Sequence, residues 1–467
     1  MFKYKKFIKS SIAYFAGSIL SKILVIFLLP IYTKNISPSD MGYYDYCNNM
    51  LNLILPLFFL NIWITILKFI CDEQSDSERK NRYIFNGFII FLISTFLYTV
   101  MMIIWGTFWH IRYIVFIYFL GIASSVHYIV GNIVRGLGYS KFFALIGSLT
   151  SFLMGILNII LITYFNIGVE SIYISTLILL FLEDIVLILK ARIFGIIKPL
   201  YYDKSLIIEM FKFSLPLGIS EVFNYFSTYY VVVMIKNKLS LYSNGIYAIA
   251  TKFTIVLIMI STCFLFSWQE LIFNNVKNVN RWRMYTKAVN LYIKVLMVGL
   301  LLYVPLIYCI FSFVIGINYH DSFYLIPLYL FITCENILSN FIGSILSAEN
   351  ENNKLLFSNI ISSITLIVIL HLFISKYGIQ LSNIALLFEY SMCILLRSYF
   401  LNKCRNNTIQ LEKKNVSILI CLYVVTCLIY FYSNFCVNIA IFFVNLIFAF
   451  IFFGKYFILI IKKSKER

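Results

Sequence analysis

The chain has 467 residues, 61% of them hydrophobic and only 12% charged, with a formal net charge of +18 and a mean hydropathy of +0.89. That leaves too little polar surface to clothe a soluble core of this length, so a soluble globular protein is excluded and an integral membrane protein is implied. The positive balance would suit nucleic acid, but the places where the charges fall give it a topological meaning and argue against a nucleic-acid partner.

Apolar runs long enough to cross a bilayer, which needs roughly 20 residues per helix, recur from one end of the chain to the other. The basic start MFKYKKFIKS leads into a first predicted span at about 9–33. No small-residue cleavage site interrupts that run, so it reads as a retained helix and not as a signal peptide. Thirteen more spans follow, at about 44–69, 83–108, 113–135, 142–165, 170–190, 212–235, 245–272, 288–315, 323–347, 355–375, 380–401, 416–433 and 439–461. The expected fold is therefore an all-α integral membrane protein of about 14 transmembrane helices. Of the 38 Lys and Arg residues, 29 fall in one alternate set of connecting segments, 5 in the other, and Lys22, Lys252, Lys294 and Lys455 lie within spans. Because cytoplasmic segments carry the excess of Lys and Arg, both termini are expected in the cytoplasm. The outward loops are short, as in SKYGIQ, and none could form a large external domain.

The chain also resembles itself. KNISPSDMGYYD (34–45) follows the first span and KNKLSLYSNGIYA (236–248) follows the seventh; Ser37, Gly42 and Tyr44 match Ser240, Gly245 and Tyr247 at a constant offset of 203. Gly131, Lys141 and Gly168 align more loosely with Gly343, Lys354 and Gly378, at offsets of 210 to 213. Two matches in the same order predict two pseudo-repeated six-helix bundles, residues 1–200 and 201–405, followed by two further helices over 406–467. Paired repeats of this kind mark transporters, with the substrate site lined by both halves.

Polar residues inside apolar spans are costly in lipid and belong on interior or wet faces. The first span carries Ser11, Tyr14, Ser18 and Lys22 at helical spacing. The second carries Asp45, Asn48, Asn49 and Asn52, the seventh Ser220, Glu221, Asn224 and Thr228, and the eighth Thr251 and Lys252. The tenth carries Glu335 beside Asn336, Asn340 and Ser344. Lys22 and Lys252, too deep to snorkel with ease, are the candidate sites for an anionic substrate such as a phosphate or pyrophosphate head group, with Asn48, Asn49, Asn52 and Asn224 as further cavity residues. Glu221, Glu335 and Asp45 are candidates for binding a coupling cation or proton. Interhelical hydrogen bonding is the plainer role for any single Ser, Thr or Asn. Lys294, Arg397, Lys455 and Glu270 lie near span ends and read as snorkelling or interfacial groups. His127 reads as a satisfied polar side chain, with a proton relay as the alternative, and Glu183 and Asp184 as partners for a Lys or Arg of a neighbouring helix, with a coupling role as the alternative.

The ten cysteines are scattered without a Cys-x-x-Cys pair, which suits small apolar side chains better than disulfides or metal ligands. A phosphate-binding Gly-x-x-x-x-Gly-Lys-Ser/Thr loop and a His-Glu-x-x-His pattern are both missing from the sequence, so no cofactor is expected and an enzyme reading is weak.

LLPIYTKNISPSDMGYYD (28–45), FKFSLPLGISEVFNYFSTYYVVVMI (211–235) and GIQLSNIALLF (378–388) resemble the corresponding segments of Wzx-type polysaccharide flippases, within the superfamily that includes multidrug MATE exporters and lipid II flippases. The resemblance implies two six-helix bundles about a V-shaped cavity and an undecaprenyl-pyrophosphate-linked oligosaccharide as cargo, moved to the outer leaflet of a bacterial cytoplasmic membrane for O-antigen or capsule assembly. Lys22 and Lys252 would then face the pyrophosphate, and the Asn, Ser and Tyr residues the sugar hydroxyls. Membrane lipids, a polysaccharide polymerase and chain-length machinery are the partners it implies, with an ion or proton gradient as the energy source. A lipid II flippase or a cation-coupled multidrug exporter is the alternative.

Overall fold

The computed structural model describes residues 28–73, 76–109, 111–275, 281–349, 351–405 and 411–465. These are helical nearly throughout, with no strands among them. Among the described residues ten helices are long and apolar enough to cross a membrane, and up to twelve spans result if each of two bent helix pairs counts as one. The chain is thus a multi-pass membrane protein. The first predicted span lies mostly outside the described residues. The seventh lies within a continuous helix of membrane length, Lys204–Lys238. The described residues divide into two compact units, one comprising residues up to 248 with 370–376 and the other comprising 249–369 with 377 onward.

In the first unit a helical stretch over 28–35 leads into α1 (Pro38–Phe59). The Ser-Pro-Ser-Asp run is a helix start. Ser37 Oγ accepts from the Asp40 amide at 3.1 Å and donates to the Asp40 carboxylate at 2.8 Å, while Pro38 occupies the first helical position, where its missing N–H costs nothing. Then come α2 (Ile62–Asp72), α3 (Ser77–Trp109), α4 (Ile114–Gly136), α5 (Ser140–Thr163), α6 (Glu170–Ala191) and the single turn α7 (Ile193–Ile196). The loop that follows is tied down by Asn86 of α3, whose side chain donates to Tyr201 O at 2.8 Å and accepts from Asp203 N at 2.9 Å. Asp203 caps α8 (Lys204–Lys238), and its bond from the Ser205 hydroxyl holds its carboxyl below the usual range. α1 packs on α8, α2 on α4, and both α4 and α5 on α6. Met50, Phe59, Ile62, Ile66, Tyr98 and Ile117 lie in the common core.

The second unit is built from α10 (Ile255–Asn275), α11 (Arg281–Val314), α12 (Ile326–Ala348), most of α13 (Asn352–Tyr377), α14 (Gln380–Arg405), α15 (Lys413–Tyr432) and α16 (Phe435–Lys465), and α9 (Leu241–Lys252) precedes them in the chain. Lipid tails are as apolar as the side chains, so helices here associate by close packing and hydrogen bonds more than by hydrophobic transfer. Both are evident. Phe341 stacks between Trp268 and Tyr292, with ring centroids 4.5 and 4.3 Å away. Asn445 of α16 donates to Leu301 O of α11 at 2.7 Å, and Tyr423 of α15 donates to Pro327 O of α12 at 2.6 Å. Phe450 and Ile451 of α16 are largely exposed, as lipid-facing residues should be.

Candidate substrate site

Two spans are broken, and they are the two that the internal repeat makes equivalent. α1 and α2 meet at a bend of 53°, and α9 and α10 at 43°. At the first break Leu60 and Asn61 both adopt left-handed backbone, after a Pro56 that cannot donate within α1. The freed Leu60 carbonyl is taken up by the Ser214 hydroxyl of α8. At the second break the Phe253 carbonyl accepts from Tyr303 of α11 at 2.9 Å, and Thr254 bonds back to Thr251 O at 2.7 Å. Irregular backbone at membrane depth persists only where such partners or a wet cavity satisfy it, and matched broken spans in two repeats point to a binding site.

The predicted residues have different surroundings in the two units. Asp45 is buried on α1; Asn49 donates to its carbonyl at 2.9 Å and to its carboxylate at 3.1 Å, so this pair is largely satisfied. Asn48 and Asn52 are half-buried and hold no hydrogen bond among the described residues, which leaves their amides available to a ligand. Lys252 ends α9 at the second break, half-buried and without an anionic partner among the described residues. Glu221 is half-buried on α8. Glu335, in the second unit, accepts both oxygens' bonds from Ser391 of α14 at 3.1 and 3.2 Å and ties two helices together. Lys22 and the side chain of Asn224 lie outside the described residues.

The repeated turns themselves meet. Asn244 of α9 donates to Gly42 O of α1 at 2.6 Å. A Cβ on Gly42 would collide with Leu241 O and lie 2.6 Å from Gly245 N; one on Gly245 would collide with Pro38 O. Each helix start therefore rests backbone to backbone on its repeat partner, a contact that only glycine permits. Nearby on the same seam, the Lys236 ammonium sits 3.6 Å from the Tyr46 ring centroid.

Sequence reasoning placed other polar groups wrongly or passed over them. Arg397 does not snorkel. It is 4% exposed and donates to Ser339 Oγ of α12 at 2.9 Å and to Asn359 Oδ1 of α13 at 2.7 Å. Lys294, 6% exposed, is bound to Glu412 at 2.6 Å. The side chains of Lys455 and Glu270 lie outside the described ones. Asp184 pairs with His127 at 2.9 Å and Glu183 with Thr150 at 2.6 Å, where a Lys or Arg was expected. Cys47, Cys334 and Cys393 are buried as anticipated, whereas Cys71, Cys421 and Cys436 are exposed.

Solved structures share this architecture. A lipid II flippase, MurJ, in an inward closed conformation aligns with a TM-score of 0.69 at 15% identity, over 96% of this chain and 100% of its own. An inward-facing multidrug resistance MATE family transporter of the MOP superfamily aligns at 0.68 and 11% identity, over 88% of this chain and 98% of its own. A MOP superfamily transporter from Pyrococcus furiosus, whose binding pocket is described as having reversed polarity, aligns at 0.60 and 12% identity, over 88% and 96%. At such identities the likeness establishes the fold, that of MOP-superfamily transporters. No curated protein matches the sequence. The polysaccharide biosynthesis protein family matches residues 7–267, more than half of the chain, and the protein belongs to that family.

Proposed function

We propose that the chain is a flippase that carries an undecaprenyl-pyrophosphate-linked oligosaccharide repeat unit across the bacterial cytoplasmic membrane by alternating access, supplying surface polysaccharide such as O-antigen or capsule. The observation that carries this reading is Lys252, a half-buried cation at a helix break with no anionic partner among the described residues. A lone cation at membrane depth is costly unless it serves an anion, and a pyrophosphate is such an anion. Asn48 and Asn52 offer amides of the kind that hold sugar hydroxyls. Membership of a polysaccharide biosynthesis family favours a glycan cargo over the peptide-bearing lipid II, and a free lysine disfavours the cationic cargo of a multidrug exporter.

In this reading both termini are cytoplasmic, a polysaccharide polymerase and chain-length machinery take over the product, and the protein makes or breaks no covalent bond. The bundle limits at 200 and 405 belong to the same proposal. The test is translocation of a fluorescent polyprenyl-pyrophosphate-linked glycan in liposomes holding the purified chain. Movement above protein-free liposomes is expected. No movement of the glycan lipid, with movement of a cationic drug or of lipid II under the same conditions, would overturn the reading.

A further inference from the structure

Away from the broken spans, the first unit buries two adjacent carboxylates. Glu183 and Asp184 of α6 are each 5% exposed. Asp184 Oδ1 lies 2.9 Å from His127 Nδ1 of α4. Glu183 Oε2 accepts from Thr150 Oγ1 of α5 at 2.6 Å. Glu183 Oε1 is buried and has no hydrogen-bond partner among the described residues. Its carboxyl lines a cavity of about 240 Å³ together with His127, Gly147, Thr150 and Ser151. Gly147 keeps that space open, since a Cβ there would stand 3.2 Å from Oε1.

The charge count decides what the cluster does. Among the described residues, Asp184 and His127 are the only ionisable groups acting on Glu183; α5 brings neutral Thr150 and Ser151, α7 brings no ionisable side chain, and the elements packed on α4 bring no further charge to His127. Fully deprotonated, the cluster would hold two negative charges and no positive one in a membrane interior, which lipid does not tolerate. It therefore holds at least one exchangeable proton. A metal ion fits poorly, because no group of three or more His, Cys, Asp or Glu side chains able to hold one occurs among the described residues.

We propose that Glu183, assisted by Thr150 and the His127–Asp184 pair, is a proton-binding site through which transport is coupled to a proton gradient. The coupling rests on the transport reading above; the site itself does not. Thr150 stabilises the ionised carboxylate, His127 and Asp184 set the charge that Glu183 experiences, and the cavity gives the proton a way in and out.

Dicyclohexylcarbodiimide, which modifies protonated and not ionised carboxyl groups in apolar surroundings, is the probe, applied to the full chain in liposomes and read by peptide mass spectrometry. Modification at Glu183 is expected to fall as pH rises, to vanish in Glu183→Gln and to be unaffected by excess sodium. In Thr150→Val the fall should move to higher pH, because the carboxylate loses its hydroxyl donor; this variant keeps the test alive should Glu183→Gln not fold. Absence of modification at every pH in folded protein, a pH-independent yield, or protection by sodium would each overturn the proposal. Glycan-lipid movement in the same liposomes separates the two readings. Movement without pH-dependent modification of Glu183 defeats the proton site and leaves the flippase. Modification without glycan-lipid movement, in liposomes where a cationic drug or lipid II does move, supports the site and defeats the flippase reading.

Discussion

Two lysines set within spans meet different fates, and their surroundings explain why. Lys294 is neutralised by Glu412, which immediately precedes α15, and the ammonium 2.6 Å away holds the Glu412 carboxyl below its ordinary value of 4.5. A depressed carboxylate pKa gives stabilisation that is complete above the ordinary value and is lost as pH falls through the lower, folded one. Thermal unfolding in detergent should accordingly show Glu412→Gln losing less stability than wild type on acidification; parallel acid limbs would contradict the pair's role. Lys252 has no such partner among the described residues, so in the proposed reading its replacement removes a charge available to cargo. Lys252→Ala should slow glycan-lipid translocation about tenfold, equivalent to roughly 1.4 kcal/mol, while leaving the melting temperature close to wild type. Unchanged translocation would disqualify it as a binding residue. Its type and depth are legible in the sequence. What the sequence does not give is which of its deep cations is paired, since Glu412 lies 118 positions from Lys294.

At the scale of elements, the Gly42–Gly245 contact turns a repeat in sequence into a pairing in space. Backbone atoms, not flexible side chains, receive any added Cβ, so the two helix starts would have to move apart. Gly42→Val and Gly245→Val should each cost about 1–3 kcal/mol, as overpacking of a tight contact does. A Cβ added to Gly299 of α11 would meet nothing within 4 Å, so Gly299→Ala should be neutral or gain about 0.5–1 kcal/mol of helix stability. Thermal melts of the three variants check this; equal behaviour would dismiss the contact as incidental. Ser37 and Pro38 open α1 at residue 38, six residues before the predicted span begins, so that Gly42 lies inside the helix. The breaks at Leu60 and Phe253 were not readable, because neither is flanked by glycine and both lie within runs whose hydropathy suits a continuous helix.

For the whole molecule the charge asymmetry of the loops makes a directional claim. Lys198, in the long basic loop, and Asn166, in a short weakly charged one, are both exposed. In a background with the native cysteines replaced, Lys198→Cys in intact cells should resist a membrane-impermeant maleimide that labels Asn166→Cys; the reverse pattern would invert the topology. Membrane character and the helical spans follow from length and hydropathy, which are local properties summed along the chain. The seventh predicted span, 212–235, is likewise helical throughout, within α8.

The sequence by itself determined that this is an all-helical membrane protein with a few polar groups within its apolar spans, because spanning a bilayer imposes a length and an apolarity that each segment must meet alone. Only the tertiary structure decided which polar groups face one another. It joined Gly42 to Asn244 across 202 positions, His127 to Asp184 across 57, and Arg397 to Ser339 across 58. In a soluble protein the apolar stripe of a helix reveals its inner face. Here lipid and protein interior are equally apolar, so the direction in which a helix turns its few polar residues is set by its neighbours and leaves little trace in hydropathy.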